Sequence, residues 1–142
     1  MSSFIEKCID KKFRKLPLKE LIKASVVAIS GVSETDALEL KKAFNISTIQ
    51  ELAENKYILL TQAVNTLSKF STTIFDKRFN SKEFEELKKK PIHATSGVSE
   101  IDAESLKKTF NIDTIQELAE NKYVAIAQVI TTAAALEELL SL

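Results

Sequence analysis

The chain has very few of the residues that build reactive or metal-binding sites. It contains one cysteine and one histidine among 142 residues, so it can form neither an internal disulfide nor a cluster of cysteine and histidine metal ligands. It has no tryptophan, two glycines and two prolines. A glycine-rich phosphate loop is therefore excluded, and the turn dipeptides typical of β-hairpins are missing. These absences favour an all-α protein.

Long apolar runs and a net charge are also absent. The longest uncharged run, residues 123–136, has 14 residues, whereas a bilayer span needs about 20. The first fifteen residues lack the apolar stretch of a signal peptide. Basic and acidic side chains number 20 each, so no global charge attracts nucleic acid or anionic lipid. We expect a soluble, cytoplasmic protein with no membrane partner and no cofactor.

Charge is nevertheless distributed unevenly along the chain. Residues 1–70 carry 11 basic and 8 acidic side chains and residues 71–142 carry 9 and 12, which gives net charges of +3 and −3. Lys11, Lys12 and Arg14 contribute to the basic excess. Opposite charges of this kind can attract the two halves of one chain, or the basic end of one molecule and the acidic end of another. We predict a protein-contact surface that includes these three cations.

An internal repeat is the main feature that is present. The segment Ser30–Tyr57 recurs 66 positions later as Ser96–Tyr123; five of the 28 aligned positions differ (35, 38, 39, 43 and 47), and 23 are identical. A fixed period of this length indicates a repeat architecture. We predict two similar units of about 66 residues, 1–69 and 70–142. Because one such unit would bury only about 60% of its unfolded surface, we expect the two to pack as one body.

Helical periodicity and capping signals place the elements of each unit. The first unit is predicted to have helices at about 4–15 and 17–24, then a buried connector at 25–32. Ser33 with Asp36 predicts the start of a helix over 34–44, which Asn45 would end in a left-handed conformation. Thr48 with a glutamate three residues later predicts another short helix. The second unit repeats this order, beginning with a helix at 70–80.

The repeated helix 34–44 predicts which side chains are buried. At 100° per residue Ala37, Leu40 and Phe44 share one face, and Phe110 repeats the last of them. We expect docking through the faces of Phe44 and Phe110 or through the long helices after the repeats. Leu38 lies on the outward side and adds an apolar residue to the predicted protein-contact surface, whereas the second copy is predicted to place Glu104, Ser105 and Thr109 on its freer side. His93, which aligns with Val27, is interpreted as a packed histidine.

The run Ile29-Ser30-Gly31-Val32-Ser33, followed by Leu40, Phe44 and Thr48-Ile49, resembles the helix-hairpin-helix motif of recombinase N-terminal domains and related small helical repeats. Gly97 and Ser99 begin the second copy of the motif. In that family, backbone amides at the hairpin bind a DNA phosphate, because a helix N-terminus favours an anion. The resemblance therefore implies contacts to phosphate at Gly31, Ser33, Gly97 and Ser99, with Lys41, Lys42, Lys107 and Lys108 as the neighbouring cations.

Two functional hypotheses follow, neither of them catalytic. No nucleophile is paired with a base, and no carboxylate pattern differs from capping and solvation, so we expect no enzyme. The first hypothesis is a helical interaction or scaffold module that binds a protein partner or associates weakly with itself. The second is weak, sequence-independent binding of double-stranded DNA through the hairpins. As alternatives to phosphate contacts, Gly31 and Gly97 can adopt a backbone conformation that side chains forbid, and the lysine pairs can form solvated helix faces.

Overall fold

The computed structural model describes residues 3–74 and 83–141, with the backbone alone described for residues 3 and 71–74. These residues form helices joined by short 3-10 turns and isolated bridges, with no β-strand among them. The first half contains α1 (Ser3–Cys8), α2 (Leu18–Leu21), α3 (Glu34–Phe44), α4 (Ile49–Glu54) and α5 (Lys56–Ile74). The second contains α6 (Glu83–Leu87), α7 (Glu100–Phe110), α8 (Ile115–Ala119) and α9 (Lys122–Leu139). The all-α prediction is confirmed.

The predicted caps set the ends of α3 and α7. Ser33 accepts a hydrogen bond from the backbone amide of Asp36, whose side chain accepts one from the amide of Ser33. Asn45 ends α3 with φ +57°, a left-handed conformation that asparagine tolerates better than most residues. The helix α7 has the same two devices at positions 66 residues later. The short helices α4 and α8 begin with capping boxes at Thr48 and Thr114.

The helix predicted over 4–15 is wrong in extent. The helix α1 ends at Cys8, and Ile9 instead forms a bridge with Ile29. Backbone amides on both sides hold this bridge, since Asp10 donates to the carbonyl of Ala28 and Ser30 donates to that of Cys8, each at 2.8 Å. Ile9 is fully buried there. A single helix would leave the backbone of this connector without these partners, so tertiary pairing overrides the helical pattern.

Three further predictions need correction or fall outside the described residues. The helix predicted over 17–24 is shorter, with α2 covering Leu18–Leu21. The predicted helix 70–80 begins inside α5, which continues to Ile74, and positions 75–80 lie outside the described residues. His93 is exposed rather than packed, because it lies in the turn Ile92–Ala94 at the molecular surface.

Helices of each half pack on helices of the other half. The helix α3 packs against α7, α4 against α9, and α5 against α8. By sequence α9 is the counterpart of α5 and α8 that of α4, so each long helix lies on the short helix of the other half. The long helices take part in this packing, as predicted. The other prediction, docking through the faces of Phe44 and Phe110, is not shown, because each of these rings stacks on a tyrosine of its own half.

Two pairs of residues from equivalent positions meet between the halves. The side-chain amides of Gln62 and Gln128 donate to each other's carbonyl oxygens at 3.0 and 2.8 Å, and both glutamines also reach backbone carbonyls of the opposite half. Between α3 and α7, the Ser105 hydroxyl lies beside the carboxylate of Glu39 and lowers its pKa, assisted by the positive charges of Lys42 and Lys108. Each of these two pairs joins positions that are 66 residues apart in the sequence.

The predicted outward position of Ser105 is consequently wrong. Its residue is only 7% exposed, because this side of α7 faces α3. Thr109, one turn further on, is half-buried and donates a hydrogen bond to the carbonyl of Ser105 at 2.7 Å. Glu104 is exposed, as predicted. The side of α7 that was predicted to face solvent is thus only partly exposed. Part of it, at Ser105, is covered by the other half.

Two candidate interaction clefts

Gly31 and Gly97 lie where the two halves touch. Their φ angles are +95° and +92°, a region that side chains disfavour. A Cβ at Gly31 would lie 2.9 Å from the hydroxyl oxygen of Tyr123, and one at Gly97 would lie 2.7 Å from that of Tyr57. The conformational interpretation of both glycines is confirmed. The structure adds a reason that the sequence does not contain, since each glycine gives room to a tyrosine of the opposite half.

The hairpin serines are engaged in capping. The amide of Ser33 donates to Asp36 at 3.0 Å, and the amide of Ser99 donates to Asp102 at 3.1 Å. The serine hydroxyls accept from the amides of these aspartates at 3.0 Å. A carboxylate therefore already occupies the anion-favouring end of α3 and of α7. A glutamate begins each helix and adds further negative charge.

The four lysines after the hairpins are exposed and lie near acidic groups. Lys107 forms an ion pair with Asp113 at 2.7 Å, and Lys42 lies 3.7 Å from Glu39. Lys108 also acts on Glu39 through its charge. Hydrogen bonds from the amides of Ser47 and Thr48 lower the pKa of Glu51, and the charge of Lys41 lowers it further. The predicted basic contacts are thus partly neutralised by their neighbours.

The predicted protein-contact residues lie on separate elements of the described structure. Lys11 and Lys12 are exposed in the 3-10 turn Lys11–Phe13, while the Arg14 side chain donates to the carbonyl of Ile9 at 2.9 Å. Leu38 lies on α3 and is 62% exposed. The cations therefore follow α1, whereas Leu38 belongs to a different element.

Leu38 instead forms part of a concave surface that occurs twice. Cleft one, an open cleft of about 530 Å³, is lined by Ser25, Val27, Glu34, Ala37, Leu38, Lys41, Ile46 and Ser47. Cleft two, of about 460 Å³, is lined at equivalent positions by Pro91, His93, Glu100, Ala103, Glu104, Lys107, Ile112 and Asp113, together with Lys89 and Thr114. Each cleft lies between a long capped helix, the 3-10 turn before it and the loop after it.

The two clefts share a shape but differ in chemistry. Leu38 of cleft one is replaced by Glu104 in cleft two, and Val27 by His93. Ser47 is replaced by Asp113, which pairs with a lysine. The repeat comparison singles out position 38, but it does not indicate that Val27 and Ile46 lie beside it, because those residues are separated along the chain. Only the fold brings them together.

The remaining observations concern other classes of site. Among the residues that the structure describes, no group of three or more histidine, cysteine, aspartate or glutamate side chains could hold a metal ion. Within the same ranges, no helix has the length and apolar character required to cross a bilayer. No known protein family, curated protein or solved structure matches the chain.

Proposed function

We propose that the chain is a non-catalytic interaction module made of two helix-hairpin-helix-like units, and that cleft one is its docking surface. The observation that carries this proposal is Leu38, which is 62% exposed on the wall of a cleft that Val27, Ala37 and Ile46 also line. The equivalent cleft carries Glu104 at the same position. The same backbone shape therefore offers an apolar surface in one half and a charged surface in the other.

The chemistry of cleft one defines the kind of partner that would bind. An apolar side chain would bury Leu38, and burial of apolar surface at the centre of a small interface supplies most of its affinity. Lys41 lines the same cleft and is exposed, so an acidic residue beside the apolar anchor would complement it. The acidic second half of another copy is one source of such a segment, which makes weak self-association part of the proposal.

A photo-crosslinking residue at position 38 tests the docking surface. We expect adducts from position 38 in the cells that produce the protein, and few from a matched probe at position 104, because the latter faces a charged cleft. Mass spectrometry of the adducts distinguishes a second copy from another protein. Equal adducts at both positions would refute the assignment of the docking surface.

Sedimentation analysis tests the self-association part with purified protein. Leu38→Glu gives cleft one the acidic residue of cleft two and should abolish association, while Ile101→Glu is the matched control, since Ile101 is 76% exposed on α7 but does not line cleft two. Added salt should also weaken association, because exposed charges are screened beyond about 10 Å at 0.1 M. A monomer at every concentration and salt level would contradict self-association and leave binding to a different protein.

Double-stranded DNA binding is the second candidate, favoured by the two hairpins and the four exposed lysines that follow them. Such binding would use phosphates, so it should be independent of sequence and fall steeply with salt. The aspartates that cap α3 and α7 act against it. Fluorescence anisotropy with duplex DNA at low and moderate salt provides the test, and a variant with alanine at Lys41, Lys42, Lys107 and Lys108 should lose the binding. Unchanged affinity in this variant would exclude the hairpin mechanism.

A further inference from the structure

The contacts that hold the molecule together run between its two halves. The described residues pack α3 on α7, α4 on α9, α5 on α8 and α2 on α9. Tyr123 covers Gly31 and Tyr57 covers Gly97, so the packing is reciprocal. One covalent connection, the chain between Ile74 and Glu83, joins these halves. Nothing in the contacts themselves requires that the two halves belong to the same molecule.

We propose that two copies of this chain exchange halves to form a closed dimer, in which the first half of each copy packs against the second half of the other. Every described contact between halves is then made twice, as it is in two separate monomers. Exchange of identical elements is a low-cost route to a dimer because it needs no new interface. The partner in this dimer is a second copy of the chain, and the surface involved is the one between α3 and α7 together with the long helices.

The contact between Glu39 and Ser105 determines which halves pair. In the described structure α3 packs on α7, and Ser105 of α7 is buried beside the Glu39 carboxylate of α3. Pairing of two first halves would bring Glu39 against a second Glu39, and like charges at a largely buried position disfavour such a pair. The side chain of Glu39 is only 14% exposed. The exchanged dimer therefore retains the pairing of a first half with a second half.

The concentration at which exchange occurs can be derived because the monomer and the exchanged dimer contain the same interface between halves. Since the monomer and the dimer contain the same contacts, the dimer dissociation constant is close to the effective concentration of one half around the other, on the order of 1 mM for a short connection. From that constant, about half of the chains should be exchanged at ~1 mM and about 2% at ~10 µM. Because a separated half of this size is marginally stable, exchange should proceed through unfolding and refolding.

The dimer would also change how the clefts are presented. In the dimer, each first half packed on the second half of the other copy has the fold of the monomer. The dimer therefore carries two copies of cleft one. Two linked sites raise apparent affinity for a partner that itself carries two docking segments. This consequence rests on the proposed function of cleft one, whereas the exchange itself depends only on the contacts between halves.

A crosslinking experiment on the full chain separates exchange from ordinary association. Lys42 and Lys108 both act on Glu39, one from each half, and both are exposed. The variant Lys42→Cys/Lys108→Cys/Cys8→Ala is unfolded in denaturant, refolded at ~10 µM or ~1 mM, diluted and treated at once with a short bis-maleimide. An unexchanged chain gives a crosslink within one chain, and an exchanged dimer gives crosslinks between chains.

We expect the dimer band on a denaturing gel to rise about 25-fold between the two refolding concentrations, in line with the constant derived above. The single-cysteine variant Lys42→Cys/Cys8→Ala is the control and should give no dimer band, since its thiol has no cysteine partner on the second half. A monomer by light scattering after refolding at ~1 mM would overturn the proposal. A dimer whose crosslinks all lie within chains would also overturn it, because it would show association without exchange. Leu38→Glu should leave the exchange unchanged, which distinguishes it from docking in cleft one.

Discussion

Replacement of Gly31 by alanine tests the crossed packing of the two halves. The added Cβ would lie 2.9 Å from the hydroxyl oxygen and 3.3 Å from Cε1 of Tyr123. The residue would also have to keep φ near +95°, where alanine is strained. Both effects destabilise the folded state, one through the local backbone and the other through a residue 92 positions away in sequence.

The two costs have comparable size. Holding a residue other than glycine in a sparsely populated backbone region costs about 1–3 kcal/mol. Overpacking of a well-packed contact adds about 1–3 kcal/mol, depending on how far the tyrosine can move. We therefore expect Gly31→Ala to reduce the free energy of unfolding by about 3 kcal/mol.

A double-mutant cycle separates the two terms. Tyr123→Phe removes the atom nearest to the new Cβ, so in that background Gly31→Ala should cost about 1 kcal/mol less. Tyr57→Phe is the matched control because Tyr57 covers Gly97, and its effect should add to that of Gly31→Ala within about 0.5 kcal/mol. Urea unfolding followed by circular dichroism gives the stabilities of the six proteins in the two cycles. Rescue by Tyr57→Phe but not by Tyr123→Phe would refute the packing of Tyr123 against Gly31 of the other half.

Two further predictions concern acidic groups. Ser105→Glu should lower the urea midpoint, because it places a second carboxylate opposite Glu39, and the loss should shrink at low pH where carboxylates are neutral; an unchanged midpoint would contradict the contact between α3 and α7. The pKa of Glu51 is lowered in the folded state by the amides of Ser47 and Thr48, so its contribution to stability is present above the ordinary pKa of about 4.3 and is lost as pH falls through the lower folded value. Glu51→Gln should therefore flatten the pH dependence of stability in that acidic range, and an identical slope in both proteins would argue against this capping contact.

The sequence alone determined where the capped helices of this protein begin and end. Capping signals depend on residues within four positions of each other, so the pattern around Ser33 predicted both the start of α3 and, with Asn45, its end. The same holds for α7, whose capping residues recur 66 positions later. The buried positions of Leu40 and Phe44 followed from helical periodicity. The outward position of Leu38 was predicted for the same reason, because one face of a helix is defined by spacing alone.

Tertiary structure decided everything that depends on which helix faces which. Ser105 was predicted to be outward because a single helix has one apolar stripe, whereas α7 also contacts α3 through a polar side. The helix α1 ends early because Ile9 pairs with Ile29, a partner twenty positions away. Cleft one likewise unites Val27, Leu38 and Ile46 through the packing of a turn and a loop against α3. Sequence periodicity contains no information about such distant partners, because many pairings of the same amphipathic helices bury similar apolar area, and only the complete set of contacts selects one of them.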